Sequence, residues 1–289
     1  MSKKTQNLSD QAAQDAKPDT ETSALLRATD LSVGYRHRTV VSGVDLSIEP
    51  GEVHGIIGSN GTGKSTLLRA MAGIVAPSSG HVELLGTPLT KLRAHERAMR
   101  LAYLPQHTPA DAAIDVRTVV TLGRYAHHRR RDRFRSALSS TDHDIVAYAL
   151  DRVGVAALAD RPITALSGGQ RQLVFIAKLL AQQAKVMLFD EPTAALDLGF
   201  QLEILELLGE LADEGHGIGV VLHDLNLAAR SCHRLSVIHN GGLEVTGSAE
   251  EVLTPHRIDA IYRIASAVDT DPHTGSVRVT ALARARPAV

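Results

Sequence analysis

A glycine-rich loop in the first quarter of the chain has the residue types that bind phosphate. Residues 58–65 read GSNGTGKS, which fits G-x-x-x-x-G-K-[ST] at every position between an apolar strand pattern and a predicted helix over residues 65–73. Glycines let successive backbone N–H groups point at phosphate oxygens, and the following helix presents the positive end of its dipole. The residues expected to contact a bound nucleotide here are Gly58, Ser59, Asn60, Gly61, Thr62, Gly63, Lys64, Ser65 and Thr66.

The lysine of this loop and a pair of acids further along the chain could perform hydrolysis. Lys64 supplies a positive charge at the β- and γ-phosphates, and the Ser65 hydroxyl is placed to ligate Mg²⁺. The apolar strand VMLFDE ends in Asp190 and Glu191, at the edge where α/β sheets place their ligands. We expect Asp190 to hold Mg²⁺ through its water shell and Glu191 to be the general base that polarises an attacking water. A plain glycine-rich turn and an acidic helix start are the alternatives, and the two motifs together disfavour both.

The composition of the chain argues against several other classes of protein. The 289 residues carry 31 Lys+Arg against 32 Asp+Glu, and a polybasic nucleic-acid binder would need a cationic surplus. With 4 Phe, 5 Tyr and no Trp, the chain is poor in the aromatic side chains on which single-stranded bases stack. The single cysteine, Cys232, excludes an intrachain disulfide and a cysteine-based zinc site, and it is predicted to pack in the core rather than react. These counts predict a cytosolic protein without a nucleic-acid partner.

The pattern of apolar residues divides the chain into segments that must position these motifs. Residues 1–23 are polar, lack the apolar stretch of a signal peptide and are predicted to be a disordered tail. Apolar and polar residues then alternate as in strands, whereas later strands and helices alternate as in a parallel sheet covered by helices. Two helices are predicted near residues 168–183 and 198–214, and two terminal strands flank the turn sequence DPHTG. The basic run 127–135 is interpreted as a solvated surface, with contact to anionic lipid or a partner protein as the alternative.

Many protein families have a phosphate-binding loop, and one pentapeptide favours a single family among them. Residues 166–170 read LSGGQ, continue into an amphipathic helix pattern, and place Ser167 23 residues before Asp190. This segment resembles the signature motif of ABC-type ATPases, and the resemblance covers roughly residues 25–282. It implies an α/β fold, the P-loop NTPase cassette, in which a RecA-like core carries an antiparallel β subdomain and a helical subdomain. The implied divisions are an ATPase domain over 24–245, a helical lobe over about 107–159, and a C-terminal extension over 246–289 that packs on the core.

The resemblance also implies roles for residues outside the two phosphate motifs. Tyr35 in VGYRHR resembles the aromatic residue that stacks on adenine, and Gln106 in LAYLPQ resembles the glutamine that approaches Mg²⁺ and the lytic water. His223 matches the histidine that contacts the γ-phosphate, and Asp197 matches the aspartate that communicates across a dimer. In this family the signature reaches the nucleotide held by a second subunit, so two ATP molecules would lie within a homodimer. The signature residues expected to make that contact are Ser167, Gly168, Gly169 and Gln170.

Shorter segments favour one branch of this family. The sequences LGRYAHH, SAEEVLTP and DPHTG resemble those of iron-siderophore uptake ATPases, and haem and cobalamin importers share much of them. The resemblance implies permease subunits and a substrate-binding protein as partners, at the cytoplasmic face of the cell membrane. Two departures are Ala126, where the motif has proline, and Lys178, where arginine is common.

Two functions of other kinds stay open at this point. Soluble ABC ATPases of DNA repair or translation usually have two cassettes or a long coiled-coil insert, and the 61 residues from Gln106 to Ser167 leave no room for one. A nucleotide-binding scaffold without turnover is disfavoured because Glu191 and His223 are both present.

Overall fold

The computed structural model describes residues 24–35, 38–108, 110, 112–128 and 138–284. The predicted tail 1–23 and most of the basic run, from residue 129 onward, lie outside the described residues, so those two predictions stay untested. The strands are β1 (Leu26–Tyr35), β2 (Arg38–Ile48), β3 (Glu52–Ile57), β4 (Ser79–Leu84), β5 (Thr87–Pro88), β6 (Leu101–Leu104), β7 (Val186–Asp190), β8 (Gly217–Val221), β9 (Arg234–His239), β10 (Gly242–Gly247), β11 (Ile264–Thr270) and β12 (Val277–Arg284). The helices are α1 (Lys64–Met71), α2 (Ala94–Ala98), α3 (Val116–Thr121), α4 (Ser140–Arg152), α5 (Gly168–Ala181), α6 (Leu198–Asp213), α7 (Leu225–Ser231), α8 (Ala249–Val252) and α9 (Pro255–Tyr262).

A six-stranded sheet of order β10-β9-β3-β8-β7-β6 forms the centre of the molecule. Its strands run parallel except for β10, which pairs antiparallel with β9 at one edge. Strands β3, β7 and β8 are buried along their whole length, which explains the nearly continuous apolar sequences of β7 and β8. In β3 the buried polar residues Glu52 and His54 contact each other. Because parallel strands end at the same edge of a sheet, the phosphate loop after β3 lies beside the acids that end β7.

A second, antiparallel sheet packs against this core. Its order is β2-β1-β4-β5, and the alternating burial of β1 and β2 matches the alternation in their sequences. The inward residues of these strands join α1 in a cluster separate from the one that covers the other face of the central sheet. The mixed α/β fold with an antiparallel β subdomain, inferred from the sequence, is confirmed.

Helices α3, α4 and α5 pack against one another, and a buried ion pair helps to join them. Arg124 lies in the 3₁₀ segment Leu122–His127 that follows α3, and its Nε donates to Asp142 Oδ1 at 2.8 Å. Its Nη1 donates to the Ala181 carbonyl at the end of α5, also at 2.8 Å. Burial acts to raise the pKa of Asp142, but hydrogen bonds from Ser139 and Arg124 outweigh it and lower the pKa to about 2. One guanidinium therefore holds the start of α4 against the end of α5.

Replacing Arg124 with methionine is expected to lower the free energy of unfolding by about 3–5 kcal/mol, because the buried Asp142 carboxylate loses its cation. Urea unfolding followed by circular dichroism measures the change. The matched control is Arg117→Met, whose partner Asp160 is largely exposed, and it should cost less than about 1 kcal/mol. Equal losses in the two variants would contradict the role given to the buried pair.

The C-terminal segment packs back on the sheet through two short helices and a hairpin. Strands β11 and β12 flank the DPHTG turn, as the sequence predicts, and the Asp271 carboxylate accepts from the backbone N–H groups of His273 and Thr274. The Asn226 side chain on α7 donates to and accepts from the backbone of Val279, which ties the hairpin to the core. Cys232 follows α7, and burial raises its pKa to about 12, as expected of a packed thiol. Among the described residues, none of the helices has the length and apolar character needed to cross a membrane.

Candidate active site

The phosphate-binding loop joins β3 to α1 through a backbone that needs glycine. Gly63 immediately precedes α1 with φ of 102°, a conformation that side chains other than glycine rarely adopt. A Cβ atom at this position would lie 2.5 Å from Val41 Cγ2, so a larger residue would also clash with β2. The loop is therefore held close against the antiparallel sheet, and the N–H groups at the start of α1 are left facing the cleft.

Lys64 is folded back onto the loop that precedes it. Its Nζ donates to the carbonyl oxygens of Gly58 and Ser59, both at 2.9 Å, and the residue is buried. Burial lowers the pKa of Lys64, while the negative charges of Glu191 and Asp190 act to raise it. The ammonium thus lies between loop and acids, where it can exchange backbone acceptors for phosphate oxygens.

Asp190 is fully buried and has a hydroxyl donor on each carboxylate oxygen. Ser65 Oγ donates to Oδ1 at 2.7 Å, and Tyr103 Oη donates to Oδ2 at 3.2 Å. Burial raises the pKa of Asp190, and these two hydrogen bonds oppose that shift. Burial, together with the charge of Asp190, raises the pKa of Tyr103 to about 12, so Tyr103 stays a donor.

The oxygen donors around Asp190 suit a hard cation. Mg²⁺ is usually held by one or two carboxylates together with hydroxyl, phosphate and water oxygens, which is the kind of set that Ser65 and Asp190 offer. Gln106 brings an amide oxygen to the same cleft. Among the described residues, no group of three or more His, Cys, Asp and Glu could hold a metal without a ligand's help.

Glu191 occupies the centre of the site, and both of its carboxylate oxygens are engaged. His223 Nε2 lies 2.5 Å from Oε1, and Gln106 Nε2 donates to Oε2 at 2.6 Å. The backbone of Glu191 has φ of 55°, which is rare outside glycine and typical of strained functional positions. The three residues follow the ends of three different strands, β7, β8 and β6, so the edge of the sheet brings them together.

A cleft of about 500 Å³ contains most of the predicted phosphate-site residues. Its lining residues are Val40, Asn60, Gly61, Gly63, Lys64, Ser65, Thr66, Gln106, Glu191 and His223. Val40 was not predicted, because its role depends on how β2 lies beside the loop. Gly58, Ser59 and Asp190 contact lining residues without lining the cleft themselves. Thr62, which also lies outside the lining, donates its hydroxyl to the Ser59 carbonyl.

Tyr35 lies at the end of β1, outside the lining of this cleft. Its side chain is 46% exposed, which leaves the ring available for stacking. Arg69 Nη1 donates to its hydroxyl at 3.4 Å. Neither Arg69 nor Tyr103 was predicted as a site residue, because Arg69 was only part of a predicted helix and Tyr103 carried no motif of its own.

The signature residues lie at the start of α5, and none of them lines the cleft among the described residues. Ser167 caps α5, and its side chain and that of Gln170 satisfy each other's backbone N–H groups. Gly169 packs so closely on the Phe200 ring that a Cβ would lie 2.3 Å from it. Asp197 caps α6 by accepting from the Phe200 N–H at 3.1 Å. Within one chain, the signature and the phosphate loop therefore form separate sites.

Fold and site together define a P-loop ATPase cassette, in which a phosphate loop and a pair of acids meet at the edge of a parallel sheet. Residues 41–194 match the sequence profile of the ABC transporter family. The chain belongs to the ABC transporter family.

Several import ATP-binding proteins are similar to the chain over most of its length. The cobalamin import ATP-binding protein of Halobacterium salinarum is 42% identical over 89% of the chain, which spans only 63% of that relative. The iron(3+)-hydroxamate import ATP-binding protein of Bacillus subtilis is 40% identical over 86% of the chain and 91% of the relative. The hemin import ATP-binding protein of Pseudomonas aeruginosa is 40% identical over 89% of the chain and all of the relative. These names describe three different cargoes at nearly equal identity.

A solved structure supports the fold. It is described as an inward-facing conformation of a metal-chelate type ABC transporter, and it is 26% identical to the chain. The match covers 90% of this chain and 98% of that chain, with a TM-score of 0.77. The α/β cassette architecture is therefore shared along nearly the whole length of both proteins.

Proposed function

We propose that this chain hydrolyses Mg²⁺-ATP as the energy-supplying subunit of an importer for iron-siderophore complexes. The observation that carries the catalytic part is the position of Glu191, held between His223 and Gln106 on the cleft that the phosphate loop lines. A carboxylate in such a place can accept a proton from water as the water attacks a phosphorus atom.

In the proposed reaction, Lys64 and the backbone N–H groups of the loop bind the β- and γ-phosphates. Glu191 orients a water and accepts its proton, the water oxygen bonds to the γ-phosphorus, and the bond to the β–γ bridging oxygen breaks to release ADP. His223 and Gln106 hold the Glu191 carboxylate on either side and can turn toward the γ-phosphate and the water. Mg²⁺, held through Ser65 and Asp190, would neutralise the charge that develops on the phosphate oxygens.

A second copy of the chain would complete this site. Ser167 and Gly168 are exposed at the start of α5, a 14-residue helix whose N-terminus attracts anions. Because the signature lies outside the cleft of its own chain, we propose that it contacts the γ-phosphate bound by the other copy. The same surface would then serve both copies, as in an isologous dimer with two ATP molecules. Asp197, at the exposed start of α6, is proposed to communicate across that interface.

The importer role is supported by the names of the relatives and by the surface of the helical lobe. Four large apolar side chains of that lobe are exposed, namely Ile114, Leu122, Tyr125 and Tyr148. We call the first three, which lie within twelve residues of one another along the chain, the docking patch. We propose that the protein works at the cytoplasmic face of the membrane, with permease subunits and a substrate-binding protein. A soluble role in DNA repair or translation is disfavoured, because the relatives named above are import proteins.

The Leu122→Glu variant is expected to lose association with the permease while it retains nucleotide binding, because a charge in the docking patch cannot be buried against an apolar partner. Coexpression with permease genes adjacent to this gene, followed by copurification from detergent, measures association. Leu282→Glu on the C-terminal hairpin is the matched control, since Leu282 is also exposed. Equal recovery of permease with both variants would contradict the docking patch.

Cargo can be assigned by uptake into proteoliposomes that contain the complex. Ferric hydroxamate, haem and cobalamin should be offered separately with ATP on the side of this subunit. We expect ATP-dependent uptake of the ferric siderophore; uptake of haem or cobalamin instead would establish the alternative cargo. Absence of any copurifying permease would favour a soluble role.

A further inference from the structure

A single guanidinium lies between the aromatic residue expected to stack on adenine and the acid expected to hold the metal. Arg69 Nη1 is 3.4 Å from Tyr35 Oη, and Arg69 Nη2 is 3.9 Å from Asp190 Oδ2. The same guanidinium interacts with the hydroxyl of Tyr103, which itself donates to Oδ2. The Arg69 side chain thus joins the proposed adenine-binding residue, Tyr35, to the proposed metal ligand, Asp190. The proposed catalytic steps do not use this side chain.

The position of Arg69 follows from the helix that the phosphate loop begins. Arg69 is four residues after Ser65 on α1, so the two side chains share a face of the helix. Ser65 reaches one oxygen of Asp190, and Arg69 approaches the other. Strand β1 ends beside the same helix and places the Tyr35 hydroxyl within hydrogen-bonding distance of Arg69 Nη1.

Arginine suits this position better than lysine for a geometric reason. Its planar guanidinium has two amino groups in a fixed fork, so it can contact two partners at once, whereas an ammonium is a single point charge. Asp190 is fully buried, and its orientation depends on the groups that contact its two oxygens, among them the guanidinium of Arg69. The Arg69 side chain is only partly exposed, so its contact with Asp190 is incompletely screened by water.

We propose that Arg69 is a positioning residue that sets both the contribution of the nucleoside to binding and the Mg²⁺ dependence of binding. The first effect acts through the Tyr35 hydroxyl and the second through Asp190. This inference rests on the proposed function, because it assumes that the cleft binds Mg²⁺-nucleotide.

The test measures binding without hydrolysis, using ADP and inorganic pyrophosphate as probes. The ratio of the pyrophosphate Kd to the ADP Kd gives the contribution of the nucleoside. The Mg²⁺ concentration at half-maximal ADP binding gives the metal dependence. Arg69→Met should lower the ratio about tenfold and raise the Mg²⁺ midpoint about tenfold, the scale of losing one charge-assisted hydrogen bond.

Three further variants separate the two effects. Arg69→Lys should keep the Mg²⁺ midpoint within about twofold of the wild type, because the charge near Asp190 remains, yet it should lower the nucleoside ratio. Tyr35→Phe keeps the ring and should lower only the nucleoside ratio. Tyr103→Phe should raise only the Mg²⁺ midpoint. A purely structural role for Arg69 would not divide in this way.

Two outcomes would overturn the proposal, and they differ from failure of the proposed function. Wild-type levels of both quantities in Arg69→Met would overturn it. An Mg²⁺ midpoint that is raised as much in Arg69→Lys as in Arg69→Met would also overturn it. If the wild-type protein bound no Mg²⁺-nucleotide at all, the proposed function would fail together with this inference. The thermal melting temperature of each variant shows whether it is folded. An unchanged Mg²⁺ midpoint in Arg69→Lys shows that the losses in Arg69→Met do not come from a folding defect.

Discussion

Replacement of Glu191 with glutamine is expected to cut ATP turnover by at least about 10²-fold while ATP binding is retained. Glutamine keeps the size and one acceptor oxygen of glutamate but cannot take a proton from the attacking water. The Glu191 carboxylate lies between His223 and Gln106, so the substitution changes the chemistry at the centre of the site with little change in shape. A large loss in kcat without a large rise in ATP Kd is therefore the expected signature.

Phosphate release measures turnover of this variant, and equilibrium titration with a fluorescent nucleotide measures its binding. The matched control is Glu206→Gln, because Glu206 is exposed on α6 away from the cleft lining. That control should hydrolyse ATP at the wild-type rate. Normal hydrolysis by Glu191→Gln would show that Glu191 is not the general base.

Replacement of Lys64 with alanine is expected to abolish nucleotide binding or reduce turnover by at least about 10²-fold, the scale of losing a preorganised charge at a phosphoryl group. The ammonium is buried and already lies among the backbone acceptors of the phosphate loop. Its removal leaves the γ-phosphate without a fixed cation from this loop. The acids Asp190 and Glu191 would then repel the phosphates with less compensation.

The same binding and phosphate-release assays apply to Lys64→Ala, with circular dichroism to establish that the variant is folded. Lys91→Ala is the matched control, because Lys91 is exposed outside the cleft. Full activity in Lys64→Ala would contradict the assignment of the phosphate loop.

The chemistry of the site could be predicted from the sequence where its residues are consecutive. The phosphate loop is one run of eight residues, and Asp190 and Glu191 directly end an apolar strand. Hydrophobic periodicity also predicts helices that closely match α5 and α6, because each buries one face along its length. The resemblance of residues 166–170 to the ABC signature supplied the family, which the comparisons confirm.

Contacts between distant segments could not be predicted in this way. Tyr103 reaches Asp190 only because β6 and β7 are neighbours in the central sheet. The sequences of the two strands do not determine that they are neighbours. Arg69 looks like any polar residue of α1 until β1 is placed beside it. Gly169 was predicted only as a contact residue of the signature, whereas its close packing on the Phe200 ring depends on how α5 and α6 meet. The roles of the site residues and the domain boundaries stay predictions.

The central claim is that ATP joins two copies of this chain, with the signature of each completing the site of the other. Light scattering of the Glu191→Gln variant during gel filtration tests this claim most directly, because the variant should bind ATP and hydrolyse it slowly. We expect the mass of two chains with Mg²⁺-ATP and of one chain with ADP, and we expect Ser167→Arg to abolish the doubling. A mass of one chain at saturating Mg²⁺-ATP would show that ATP does not join two copies.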